Sequence, residues 1–94
     1  MIRAFKNKET EAVFSGECPK GFPTNIVKAA RRKLEIVNAA IGLEDLKVPP
    51  GNRLEPLHKD RKGQHSIRIN DQYRVCFKWT KDGPIDVEIV DYHD

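Results

Sequence analysis

QHSIRINDQYRVCFKWTKDGPIDVEIVDY, residues 64–92, is the stretch that decides the fold. Apolar residues recur there at every second position: Ile67 and Ile69, then Val75, Phe77 and Trp79, then Ile85, Val87 and Ile89. A period of two marks strands with one buried face. Asn70-Asp71 and Lys81-Asp-Gly-Pro84 interrupt the pattern, and Arg61-Lys-Gly63 precedes it, so consecutive strands return on one another as hairpins. We read strands near Gln64–Ile69, Tyr73–Trp79 and Ile85–Tyr92, with one more near Arg53–Leu57. The opposite phase then carries Arg68, Arg74, Cys76, Lys78, Asp86, Glu88, Val90 and Tyr92 on the non-core face. A plain solvent face, with Lys78 and Arg68 paired to Asp86 and Glu88, is one reading of that surface; a functional site beside such pairs is the other.

Upstream the period changes. Met1–Phe5 reads as a short strand, and Asn7 caps a short helix running to about Ser15, where Gly16 stops it. Cys18-Pro-Lys-Gly-Phe-Pro23 is a loop. Thr24 is placed to cap the main helix, with Ile26, Val27, Ala30, Leu34, Val37 and Ile41 at helical spacing and Gly42 closing it. Glu44 to Gly51 is a connector ended by Pro49-Pro50-Gly51. Helices followed by hairpin-linked strands indicate an α+β fold, the helices packed on one face of a mainly antiparallel sheet. With 94 residues the chain is a single domain, residues 1–94, with no room for a second core.

Charged residues make up 33% and hydrophobic ones 38%, so the core is small and the surface dense in charge. From Arg53 to Arg68 the cations Arg53, Lys59, Arg61, Lys62 and Arg68 outnumber Glu55 and Asp60 by three, which equals the net charge of the whole chain, +3. Such a local field favours polyanions or an acidic protein. A second basic cluster, Lys28, Arg31, Arg32 and Lys33, is read chiefly as a solvated helix face. The two cysteines lack metal-type spacing, and His58 and His65 are not grouped with Cys or carboxylates as in a zinc site, so no metal or cofactor is expected. The opening residues are too short and too soon charged for a signal or a span, which points to the cytoplasm, with both thiols reduced and no membrane contact.

RNA can be cut without a metal when its own 2′-hydroxyl attacks the adjacent phosphate. One group must take the hydroxyl proton, another must neutralise the phosphorane, and a third must protonate the leaving 5′-oxygen. Arg74 suits the phosphorane, because its planar donors match phosphate oxygens and keep their charge. His93 suits proton transfer. Tyr92 can move a proton with help from nearby cations, or stack on a base, while Glu55 and His58 are further acid–base candidates. Each has a structural alternative: a frayed terminus for His93, and a surface ion pair for Arg74.

The chain resembles the HigB-type toxins of the RelE/ParE superfamily, also called plasmid-maintenance killer proteins. The likeness runs nearly end to end: Met1-Ile-Arg-Ala-Phe5, the two helices, Arg53-Leu-Glu-Pro-Leu57, Asp60-Arg-Lys-Gly63, Ser66-Ile-Arg-Ile-Asn70, Gln72-Tyr-Arg74 and Val90-Asp-Tyr-His93. The last three in combination carry the specificity. The resemblance implies a RelE-like fold and a ribosome-dependent, metal-independent mRNA endonuclease that inhibits translation. It also implies a HigA-type helix-turn-helix antitoxin, with operator DNA bound only through the toxin–antitoxin complex. By the same resemblance the catalytic positions fall on Arg74, Asp91, Tyr92 and His93, with Gln72 where an amide side chain commonly sits. The sequence departs from the His-Pro-Leu-Lys form of some members: Glu55 stands for that histidine and His58 for that lysine, with Lys59 next. This leaves the general base open between Glu55 and His58. Arg53, Lys59, Arg61, Lys62, Arg68 and Gln72 would hold RNA or ribosome. Two rivals remain, a ParE-like inhibitor of DNA gyrase and a non-enzymatic basic RNA-binding module.

Overall fold

A computed structural model describes residues 1–92. Asn7 opens helix α1, Lys8–Phe14, its side-chain oxygen accepting from the Thr10 N–H at 2.8 Å. Glu9 and Glu11 sit in that first turn, where the helix dipole favours negative charge. The chain leaves through Ser15 into Gly16, whose φ of +100° few other residues tolerate. The second helix begins later than the sequence suggests. Thr24–Ile26 forms a 3-10 turn after Pro23, and helix α2 runs from Val27 to Ala39 without a side-chain cap, so Thr24 does not cap it. Ala30, Leu34 and Val37 are its buried stripe. Helix α2 also ends early: Ala40 is already extended, and Ile41 is 94% exposed instead of buried. Gly42 does not close it but precedes a second 3-10 turn, Leu43–Lys47, which Asp45 caps by accepting from the Ile41 and Gly42 N–H groups. Those two donors hold the Asp45 carboxyl below the usual carboxylate range.

Four antiparallel strands follow in sequential order: β1 Glu55–Pro56, β2 His65–Arg68, β3 Tyr73–Thr80 and β4 Gly83–Asp91. The strand expected over 53–57 shrinks to two residues, because Arg53 takes a left-handed conformation (φ 47°) and Leu57 turns into the core. The expected N-terminal strand is reduced to one parallel bridge, Phe5 to Val87, flanked by hydrogen bonds from Arg3 to Pro84 and from Val87 to Ala4. Farther along, the Ile89 N–H donates to the buried Thr10 hydroxyl of α1 at 3.1 Å. Residues 3–10 thus cover much of the outer edge of β4, which would otherwise offer unpaired donors to a foreign strand.

Both helices pack on β4, and α2 reaches β3 as well. Val13, Ala30, Leu34, Val37, Ala40 and Leu46 meet Ile67, Val75, Phe77 and Val87 in a single core. The predicted alternation holds through β2 and β3. In β4 it breaks at Asp86, which takes φ 52° opposite the irregularity between Cys76 and Lys78. Pro84 consequently pairs with Trp79 and is buried, whereas Ile85 pairs with Lys78 and lies outside the core it was expected to join.

Two of the four cations in the early basic cluster are structural, while Lys28 and Arg32 stay exposed as on a solvated helix face. The Arg31 Nε donates to the Val13 carbonyl of α1 at 2.9 Å, and Lys33 Nζ donates to Asn52 at 2.6 Å. Burial and the neighbouring Arg32 charge lower the Lys33 pKa. Asn52 is fully buried, and its amide also donates to the Leu46 and Val48 carbonyls at 3.3 and 3.2 Å. Removing that amide strands two carbonyls and an ammonium at once. Asn52→Ala should therefore cost about 2–4 kcal/mol. In a domain of this size a loss near 2 kcal/mol lowers Tm by about 8–16 °C, readable by thermal denaturation.

Candidate active site

The face of the sheet away from the helices is not a plain solvent face. Register aligns Glu55, Ser66, Cys76 and Glu88 in one cross-strand row, with Arg68, Arg74 and Val90 in the next. Ser66 and Cys76 are both fully buried there. The covering side chains are arginines. Arg61, leaning in from a 3-10 turn at Lys59–Arg61, donates to Glu88 at 2.8 Å and to Gln64 at 3.2 Å. That bond to Glu88 raises the Arg61 pKa further, against the opposing effect of burial. Arg68 pairs with Asp71 and donates to the Asn70 carbonyl. The pairs expected from strand parity are thus replaced: Glu88 is taken by Arg61, and Arg68 by Asp71, because the intervening turns bring these partners closer.

Arg74 lies at the centre, its side chain only 13% exposed. Its Nη1 donates to Ser66 Oγ at 2.6 Å and to the Arg53 carbonyl at 3.4 Å. Its Nη2 lies 3.5 Å from the Glu55 carboxylate, and its Cζ lies 5.9 Å from the centre of the Tyr92 ring. Tyr92 is held by its own N–H, which donates to the Gln72 carbonyl at 2.7 Å, while the Gln72 amide donates to Asp91 at 3.1 Å. Arg74, Glu55, Tyr92, Asp91 and Gln72, candidates scattered over 38 positions of sequence, thus gather around two strand ends. His58, Lys59 and Lys62 are exposed at the turn after β1, and Arg53 is exposed at its start. Arg61 and Arg68, expected to hold RNA, are engaged in ion pairs instead of standing free. His93 lies outside the described residues.

Ser66 enters the sequence reading only as the first residue of a motif and carries no assigned role there, although strand parity with Arg68 puts both on this face. Cys76 was read as a small strand residue, and its chemistry agrees. Burial pushes its thiol up to about 11, Glu88 adds to the rise, and the charges of Arg61 and Arg74 only partly oppose it. At neutral pH it is a thiol without nucleophilic character. A charged thiol reagent at pH 8 should modify exposed Cys18 and leave Cys76 untouched until the protein unfolds, which mass spectrometry of labelled peptides would read. An open depression of about 620 Å³ at the β3–β4 hairpin, lined by Arg3, Thr80, Lys81, Asp82 and Ile85, shares no residue with this cluster.

A family of RelE-like toxins of the type II toxin–antitoxin system HigB matches residues 3–93. The chain belongs to the HigB-like toxins. It is 44% identical over 80 residues to Toxin HigB-1 of Vibrio cholerae, covering 84% of each chain. It is 38% identical over 64 residues to an uncharacterized protein of Haemophilus influenzae, covering 68% of this chain and 63% of that one. To the Endoribonuclease HigB of Proteus vulgaris it is 28% identical over 97 aligned residues, covering 99% of this chain and all of the relative. Two helices on an antiparallel four-stranded sheet are the RelE-like arrangement the resemblance implied. Membership of a type II toxin–antitoxin family implies an antitoxin as partner. Among the described residues, no helix is long and apolar enough to cross a membrane.

Proposed function

We propose that this HigB-like toxin is an mRNA endoribonuclease that cuts on translating ribosomes, by attack of the 2′-hydroxyl on the adjacent phosphate. The observation that carries the reading is the Arg74 guanidinium, anchored to a buried serine and set beside Tyr92 and Glu55 on a basic surface. The endoribonuclease name of the Proteus vulgaris relative supports it. In this scheme Arg74 stabilises the charge that builds on the phosphorane. His58 removes the 2′-hydroxyl proton, with Glu55 orienting Arg74 beside it. His93 protonates the leaving 5′-oxygen, and Asp91 and Gln72 hold the segment that bears Tyr92 and His93. Exposed Arg53, Lys59 and Lys62 attract the polyanion. A HigA-type antitoxin neutralises the toxin, and the pair binds operator DNA.

The test is to map mRNA 5′ ends after brief induction. New ends inside translated frames support the nuclease, whereas intact mRNA with DNA-damage signalling supports a gyrase inhibitor of the same fold and overturns this reading. His93→Gln should relieve growth arrest in a protein that still folds, with Tm and secondary structure recorded beside the arrest. Undiminished arrest by the folded variant removes His93 from the scheme.

A further inference from the structure

Ser66 sits in β2 between Glu55 of β1 and Cys76 of β3, so its side chain lies on the same face as both. It is fully buried, which is uncommon for a serine unless its oxygen has a partner. The partner is Arg74, one residue pair further along β3, whose side chain leans back diagonally across the strands to place Nη1 2.6 Å from Ser66 Oγ. That distance is short for N–H···O, as expected where the donor carries charge.

The Arg53 carbonyl takes Nη1 as well, at 3.4 Å, from the left-handed turn that precedes β1. Among the described residues, both hydrogen bonds of the guanidinium therefore fall on one nitrogen. They fix the plane of the group and leave its Nη2 edge as the working edge. At that edge, among the described residues, Arg74 pairs with Glu55, half exposed and 3.5 Å away, at a range a phosphate oxygen could take over.

We infer that Ser66 is a positioning residue: its buried hydroxyl oxygen locks the Arg74 guanidinium in the orientation that presents the Nη2 edge to the scissile phosphate. The inference rests on the nuclease reading of this site. It also explains why a long side chain on the face of an inner strand is held in one place. Stabilising a phosphorane requires donors set before the reaction begins, and a displacement of about 1 Å at such a site can cost 10²-fold. A carboxylate in place of Ser66 would neutralise the cation; an apolar residue would leave Nη1 only the long bond to the Arg53 carbonyl. A small neutral acceptor does neither.

Ser66→Ala tests this in two independent ways. In single-turnover cleavage on ribosomes the rate should fall about 10–100-fold, with ribosome affinity unchanged, and Ser66→Thr, which keeps the hydroxyl, should recover most of the loss. In the free toxin, the Arg74 Nη nitrogens should give separate, slowly exchanging NMR signals that average in Ser66→Ala as the guanidinium begins to rotate. A folded Ser66→Ala protein that cuts at the parent rate overturns the inference. So does a loss of rate with the Arg74 signals unaltered, which would place the effect elsewhere. Should Ser66→Ala fail to fold, the parent protein decides: averaged Arg74 Nη signals would mean that no lock exists. If the parent toxin cuts no mRNA on ribosomes, the nuclease reading fails, and the NMR result still judges the lock alone.

Discussion

Arg74→Ala should slow single-turnover cleavage on ribosomes by about 10²–10³-fold, the usual effect of deleting one donor to a developing oxyanion, while changing ribosome binding little. The difference follows from where the cations sit. Arg53, Lys59 and Lys62 are exposed and act at a distance on any polyanion, so each contributes to binding and to its salt dependence. Arg74 is mostly buried and its Nη1 is committed to the protein, so little of it is available to recruit RNA. Its contribution comes when the phosphate gains charge. Arg74→Lys keeps a charge but cannot reach Ser66, the Arg53 carbonyl and a phosphate together, so it should resemble Arg74→Ala more than the parent. Some stability will go too, since Ser66 loses its partner; Tm and secondary structure must be recorded with the rates. Equal loss of binding and cleavage in Arg74→Ala would reduce the face to an electrostatic patch.

Much of this geometry was legible in the sequence. The alternation of Ile67, Val75 and Phe77 separates a core phase from a polar one, and the polar phase already contained Arg68, Arg74 and Tyr92. Asn7 and Gly16 bounded α1 through capping chemistry that depends on neighbours alone. Failures came where a distant partner or one odd dihedral decides. The left-handed Asp86 shifts the phase of β4 by one residue, and an aspartate in a strand gives no warning of that. Ile41 fits the helical spacing, yet the chain has already turned extended at Ala40 and leaves it in solvent. Ion pairs were the least legible. Arg61 reaches Glu88 across 27 positions only because the Lys59–Arg61 turn folds over the sheet. The role of Ser66 was invisible for a similar reason: it lies in which arginine leans on it, and that is set by register.

The last expectation concerns the base. His58→Ala should slow cleavage by about 10²–10⁴-fold, the range for a positioned proton-transfer group, whereas Glu55→Gln should keep the rate within about tenfold of the parent. The family resemblance leaves the two open, since it implies a histidine at the position of Glu55 and a lysine at that of His58 in some members. Geometry separates them. Glu55 stands 3.5 Å from the Arg74 guanidinium, so to serve as base it would have to give up an ion pair at the moment that arginine is needed. A glutamine there still offers an oxygen to Nη2, so the guanidinium keeps its setting. His58 starts the Lys59–Arg61 turn in extended conformation, exposed and next to the strand that carries Glu55, and among the described residues it has no ion pair to give up before it can take a proton. Both side chains are exposed, so neither substitution should move stability beyond about 0.5 kcal/mol, and rates can be compared directly. Single-turnover cleavage at saturating ribosomes is the measurement. The opposite order, with Glu55→Gln inactive and His58→Ala near the parent rate, would make the carboxylate the base and require it to leave Arg74 when substrate arrives.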